Sequence, residues 1–331
     1  MSFKYKNVYI KDVATVVGPY ENEGPLAKRF DRHYDDMYFE TDSLESAEIK
    51  IMEDSVDLVL KKTNLEKSDI DLFIAGDLQN QIAASSYTAL KVGQPFLGIY
   101  SACATNTEGL IIASNFLESK NADNVIVSVS SHNMVSEKQF RNPTEYGSPK
   151  PSTATFTATG GASCLLTNNK SKVRIESSTI GTPVDYEQND ALHMGACMAP
   201  AAARTINQHL TDLDRTIADY DLILTGDLGV YGKEILIDFM KTEYGIDIKE
   251  KYNDCGVMLY DLEHQKEVQA GGSGPVCSAL VVYSDIIRKL ANKELKRVLY
   301  VATGALFNPT LVFQKKNILS IAHAVSLESV E

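Results

Sequence analysis

The chain has 331 residues, 44% hydrophobic and 23% charged, with a formal net charge of −12, a balance that suits a folded protein long enough for two units. That charge speaks against nucleic acid, whose binding rests on clustered Lys and Arg, and no apolar run reaches the roughly 20 residues of a membrane-crossing helix. Five cysteines, odd in number and with no CxxC pair, fit a reducing compartment and speak against a zinc site.

The N-terminus, MSFKYKNVYIKDVATVVG, alternates polar and apolar residues as a strand does and lacks the apolar core of a secretory signal, which predicts a cytosolic start. Residues 21–40, polar, mixed in charge and aromatic, read as an irregular surface segment. Asp42 with Glu45 forms a capping-box pattern, and the helix predicted to about Thr63 carries Ala47, Ile51, Met52, Val56 and Val59 near helical spacing. DLFIAGDLQNQ (71–81) reads as a buried strand ending in a Gly-Asp turn. Pro95 to Tyr100 reads as a short buried strand, followed by SACATNTEGLIIASNF (101–116), a small-residue turn carrying Cys103 that opens onto an apolar helix. At such a corner, unpaired amides and the helix dipole favour negative charge, so the turn either lowers a thiol pKa or holds a carboxylate. Cys103 is thus a nucleophile or the floor of an anion pocket. NVIVSVSS (124–131) is another buried strand, emptying into a long loop over 132–156 of the kind that carries function.

The second half repeats the first. DLFIAGDL at 71–78 recurs as DLILTGDL at 221–228, 150 residues on; GGSGPVCSALVVYSDIIRKLA (271–291) echoes the Cys103 turn and helix, and RVLYVATGAL (297–306) echoes NVIVSVSS. Two copies of a strand–helix unit imply mostly parallel, helix-covered sheets. Pseudo-twofold symmetry would bring both Gly-Asp turns and both small-residue turns to one cleft.

This duplicated unit, with SACATNTEGL in one half and GGSGPVCSAL in the other, resembles the thiolase fold of condensing enzymes. The resemblance implies an α/β chain of two duplicated halves, 1–170 carrying Cys103 and the long loop, and 171–331. It also implies packed mixed sheets in a layered α-β-α-β-α arrangement. Cys103 matches the acyl-carrying nucleophile of ketoacyl synthases; their histidine position falls on Gly226 or Asp227 and their asparagine position on Ser273, so neither partner is present. A resemblance over nearly the whole chain is to the stage V sporulation protein AD family of endospore-forming bacteria. It is carried by EGPLAKRFDRHYDDM (23–37), AGDLQNQ (75–81), SSHN (130–133), QFRNPTEYG with KPSTAT (139–155), MAPAAA (198–203), NDCG (253–256), AGGSG (270–274), and ATGALFNPT with IAHAV (302–325). Tyr252 stands where that family is expected to have His.

What this resemblance implies is a non-catalytic protein that binds dipicolinic acid, free or as its calcium chelate, with no other cofactor and no metal site of its own. Its implied partners are membrane subunits that move the compound into the developing spore and release it at germination. The implied location is the spore, peripherally on its inner membrane, and thiolase-fold relatives commonly dimerise through the strand matching 124–130, which makes a homodimer an expectation. The alternative is an acyltransferase that uses Cys103.

Each candidate residue carries a structural reading beside the functional one. Asp77 and Asp227, closing equivalent turns, either bond turn amides or lend polarity to the cleft; Asn80, Asn253 and Asp254 are similar cases. A neutral Asp donates to a ligand carboxylate, whereas an ionised one repels it without calcium. His132 stands at the cleft mouth or is a loop histidine bonded to backbone. His323 either supplies the missing imidazole or is a satisfied core histidine. Arg141 is the candidate clamp on a carboxylate, or a partner of Glu145 in its own loop. Ser273, in the Gly-rich turn 271–274 before Pro275, stands among amides suited to an anion. His33, His193, His209 and His264 read as surface or interface residues.

Overall fold

The computed structural model describes residues 1–140 and 150–330. In the first half β1 (Ser2–Lys4), β2 (Tyr9–Val17), α1 (Pro19–Asn22) and β3 (Arg32–His33) lead into α2 (Leu44–Thr63) and β4 (Leu72–Gly76). Then come α3 (Ala83–Val92), β5 (Phe96–Gly98), α4 (Thr105–Glu118), β6 (Asn124–Ser131), α5 (Asn133–Phe140), β7 (Phe156–Thr157) and β8 (Gly160–Thr167). The second half runs β9 (Val173–Thr179), α6 (Met194–Leu213), β10 (Leu222–Thr225), α7 (Gly229–Tyr244), β11 (Tyr252–Asp254), α8 (Cys255–Leu259) and β12 (Gly272–Ser273). It closes with α9 (Pro275–Val281), continued through a π turn into α10 (Ile287–Ala291), then β13 (Arg297–Leu306), α11 (Pro309–Phe313) and β14 (Leu319–Ser329).

The main strand order, β5-β4-β6-β8-β2-β9-β14-β13-β10-β11, reads the same from either end once β2 is matched with β9. Pairing repeats as well. β4 is parallel to β5 and β6, and β10 to β11 and β13, while the inner pairs are antiparallel. The halves meet only through Tyr9 opposite Arg174 and Ile10 opposite Val173 on this path. Helices α2 and α3 cover one outer face, α6 and α7 the other, and α4 and α9 lie between the two sets of strands. The central layer holds the largest apolar cluster, with Leu110, Val127, Leu280 and Tyr300 all closed to solvent. The result is the five-layer α/β arrangement of the thiolase fold, built on the 150-residue repeat.

Several local expectations are corrected. Ser43, not Asp42, caps α2, its hydroxyl accepting from the Ser46 amide at 3.2 Å. Within 21–40, Glu21 and Phe39 are fully buried, so that segment is not merely surface. β5 is an exposed edge strand, with Leu97 38% accessible, because β4 flanks it on one side only. Residues 133–140, expected as loop, form α5. β6 lies between β4 and β8, so the strand expected to mediate dimerisation has no free edge.

Candidate functional site

Cys103 is held by a turn that the sequence makes tight. The Thr105 hydroxyl accepts from the Ser101 amide (3.0 Å) and donates to the Ala102 carbonyl (2.6 Å). Ala102 has φ +50°, a left-handed conformation that costs a non-glycine residue on the order of 1 kcal/mol. β13 approaches this turn closely: a Cβ on Gly304 would lie 2.3 Å from the Ser101 carbonyl oxygen, so only glycine fits there. Cys103 is half-buried, its sulfur in the wall of a cavity of about 140 Å³ between the halves.

The second half supplies the facing groups. Asp227, at the end of the β10 turn, accepts from the Thr303 hydroxyl (2.7 Å) and the Gly274 amide (3.2 Å), and its carboxyl lies beside the Cys103 thiol. Gly274 sits at φ +97°, and a Cβ there would press on the Ser131 hydroxyl at 2.8 Å. Burial pushes the Asp227 carboxyl up to about 7, and the charge of Asp254 adds to the shift. Burial also pushes the Cys103 thiol well up, and the Asp227 carboxyl beside it acts in the same direction. A nucleophilic cysteine needs the opposite field, one that favours thiolate. Away from this polar patch the cavity is mostly apolar, walled by Leu78, Met194, Met198, Ala305 and the aromatic rings of Tyr100, Phe140 and Phe307, with Glu137 and hydroxyl side chains also in its lining.

Of the residues singled out in the sequence, the structure brings Cys103, Asp227 and Ser273 to this cavity. Both small-residue turns meet there, but only one of the two Gly-Asp carboxylates does. Asp77 turns back on its own chain, accepting from the Gln79 amide (2.8 Å) and the Ser85 amide and hydroxyl (2.8 and 2.6 Å). Asp254 accepts from Thr225 (2.7 Å) and from the Leu228 and Gly229 amides that open α7 (2.9 and 3.0 Å). Asn253 accepts from the Lys233 ammonium at 2.8 Å, and Asn80 pairs with Gln139 at 2.9 Å beside a neighbouring hollow.

Neither histidine reaches the sulfur. His132 is fully buried rather than at a mouth, its Nε2 bonded to the Met37 carbonyl (2.8 Å) and its ring edge-on to Phe39. His323 accepts from the Gly181 amide at 3.1 Å, and burial lowers its pKa to about 4. Another expectation also fails: His209 is core, bonded to Thr179 (2.7 Å) and Tyr220 (2.9 Å). Arg141 and Glu145 lie outside the described residues. Among the described residues no group of three or more His, Cys, Asp or Glu stands close enough to hold a metal, and no helix is long and apolar enough to cross a membrane.

Thr303, Phe140 and Phe307 were not singled out beforehand. Thr303 and Phe307 fall within ATGALFNPT, so a signal existed for the segment, but nothing in it says which side chain faces the sulfur.

The chain is similar in structure to OleA of Xanthomonas campestris, at a TM-score of 0.60 and 16% identity over 98% of this chain and 99% of that one. A cerulenin-bound OleA crystal structure matches at 0.61 and 15%, covering 98% of each chain. The 3-oxoacyl-[acyl-carrier-protein] synthase III of Aquifex aeolicus matches at 0.59 and 14%, over 97% and 99%. At such identities these likenesses establish the fold. In sequence, the chain is 45% identical over 321 residues to the stage V sporulation protein AD of Bacillus subtilis, covering 97% of this chain and 94% of that protein. The family model for stage V sporulation protein AD matches residues 1–328, and the chain belongs to that family.

Proposed function

We propose that this sporulation protein is a receptor rather than a catalyst, taking dipicolinic acid, free or as its calcium chelate, in the cavity beside Cys103. In this reading it works with membrane subunits that load the compound into the developing spore and release it at germination. The observation that carries the reading is the pairing of Cys103 with Asp227. A condensing enzyme needs a base that draws the proton from its sulfur, and here burial first, and the Asp227 carboxyl second, raise the thiol instead.

Size and charge support it. A cavity of about 140 Å³ matches the roughly 150 Å³ that accommodates benzene in an engineered protein cavity, room for one six-membered ring. Its described lining contains Asp227 and Glu137 but no Lys, Arg or His, and the nearby Lys150 ammonium is held by Glu137 at 2.9 Å. A bare dianion is poorly served by such walls. The one-to-one calcium chelate is neutral, and a protonated Asp227 gives a ligand carboxylate one donor. Calorimetric titration with dipicolinate, with and without calcium, is expected to show saturable binding that calcium tightens. It should weaken above pH 7 as Asp227 ionises. Absence of binding under both conditions overturns the proposal.

A second reading, acyl transfer through Cys103, is favoured by the apolar walls and the kinked turn. It predicts a mass increase on incubation with acyl-CoA that Cys103→Ala abolishes. The receptor reading expects none.

A further inference from the structure

The Cys103 cavity adjoins a larger hollow of about 790 Å³, and Tyr100, Phe140 and Phe307 belong to the walls of both. These rings come from both halves: Tyr100 follows β5, Phe140 ends α5, and Phe307 lies just past β13. Phe140 and Phe307 stand 6.0 Å apart between ring centres, tilted by 45°, and both are half-buried. The outer hollow is otherwise lined by carboxamides such as Gln79 and Gln139 and by apolar side chains such as Ile82, Ile99 and Phe313, with no charged side chain in its described lining. Aromatic rings therefore border the cavity on the side toward this hollow, while Cys103, Asp227 and Gly274 form its polar patch.

We propose, resting on the dipicolinate reading, that Phe140 and Phe307, packed on each other, form an aromatic clamp that closes on one side of the ligand and selects it by the flatness of its ring. The polar patch reads a carboxyl group, which a flat and a puckered diacid present alike. The two phenyl rings read the face. An electron-poor pyridine ring can lie offset against a phenyl face or meet its edge, contacts worth about 0.5–1.5 kcal/mol beyond buried area. A saturated ring of the same charge is thicker and presents C–H bonds on both sides, so it forfeits them.

The chain contains no tryptophan, so Phe307→Trp places a single indole at the clamp. Dipicolinate and the puckered cis-cyclohexane-1,3-dicarboxylate, both dianions at neutral pH, are each titrated, with and without calcium, into the unaltered protein, Phe307→Leu and Phe140→Leu by calorimetry, and into Phe307→Trp by fluorescence. The unaltered protein is expected to prefer dipicolinate by roughly tenfold. Each Leu variant should lose roughly three- to tenfold for dipicolinate and stay within about twofold for the saturated analogue. The indole emission should change on dipicolinate binding with the same midpoint as calorimetry. Equal affinity for the two diacids, equal loss of both in the Leu variants, or an indole blind to bound dipicolinate each overturns the clamp alone. Failure of dipicolinate to bind the unaltered protein overturns the receptor reading and the clamp with it. The fluorescence arm still decides if a Leu variant does not fold.

Discussion

Asp77 and Asp227 occupy the same place in the repeat, each following a glycine at the end of a parallel strand, yet only Asp227 faces the cavity. The difference lies in the neighbouring strand. β11 brings Asp254 into register with Thr225, and this carboxylate takes the Leu228 and Gly229 amides at the start of α7. In the first half the matching register position, opposite Ala75, is Gly98. With no carboxylate there, Asp77 serves the turn amides itself and is spent on Gln79 and Ser85. A buried helix start must have its N–H groups satisfied. Duplication therefore yields one aspartate held within its own turn and one that faces the cavity, and the identity of a residue on the next strand decides which is which.

The strongest way to break this comparison is Asp254→Ala. It strips two buried amides and the Thr225 hydroxyl of their acceptor, a loss of about 2–5 kcal/mol in unfolding free energy. If the account is right, Asp227 is then drawn toward those amides, and ligand affinity falls with stability. Chemical denaturation alongside calorimetry reads both. Retained stability would mean the amides find another partner and that Asp254 does not free Asp227.

A sharper and smaller contrast is the pair Asp77→Asn and Asp227→Asn. The first should cost about 1–2 kcal/mol of stability, through weakened acceptance from Gln79 and Ser85, while leaving ligand affinity within about twofold. The second keeps a donor toward the cavity at all pH values, so affinity should stay near the unaltered level at pH 6 and lose its decline toward pH 8. Binding curves at those two pH values separate the variants. Identical behaviour would dissolve the distinction between the two turns.

Much of this architecture was legible in the chain. The recurrence of DLFIAGDL as DLILTGDL carried the duplication, and β6 and α2 follow from unbroken apolar patterning, since a run such as NVIVSVSS needs no distant partner to be read. Ser43 shows the limit: it follows the expected cap Asp42 by one residue, and only the folded backbone decides which side chain points at the Ser46 amide. α5 was missed because NMVSEKQF has little apolar periodicity and is held by its surroundings, Asn133 bonding Thr159 and the Thr157 carbonyl. The site was legible by turns and not by side chains. Cys103, Asp227 and Ser273 stand at conspicuous corners, whereas Thr303 is fixed by a partner 76 residues away and Phe140 and Phe307 by each other across still more chain. His132 looked functional because it follows a buried strand, and His323 because it could supply the missing imidazole, and burial among backbone partners decided otherwise.

The smallest expected effect is a slope. Asp227 in one half, and Asp77 together with Glu48 in the other, have carboxyl pKa values raised by burial, with Asp77's charge adding to the shift of Glu48. Glu21, bonded to the Tyr260 hydroxyl and the Thr159 amide, is raised to about 7 by the same cause. Each group binds its proton more tightly folded than unfolded, where carboxyls titrate near 4. The stability they contribute is therefore fully present below about pH 4 and is lost as pH rises through 7 for Asp227 and Glu21. The unfolding midpoint should thus fall between pH 5 and pH 8, and Glu21→Gln, Asp77→Asn and Asp227→Asn should each flatten part of that fall. Asp77→Asn acts doubly, because removing its charge also lets Glu48 relax downward. A midpoint that rises over this range in the unaltered protein would mean these carboxyls are ionised when folded. The Cys103–Asp227 pair would then be a charge beside a thiol, not a proton donor waiting for a carboxylate.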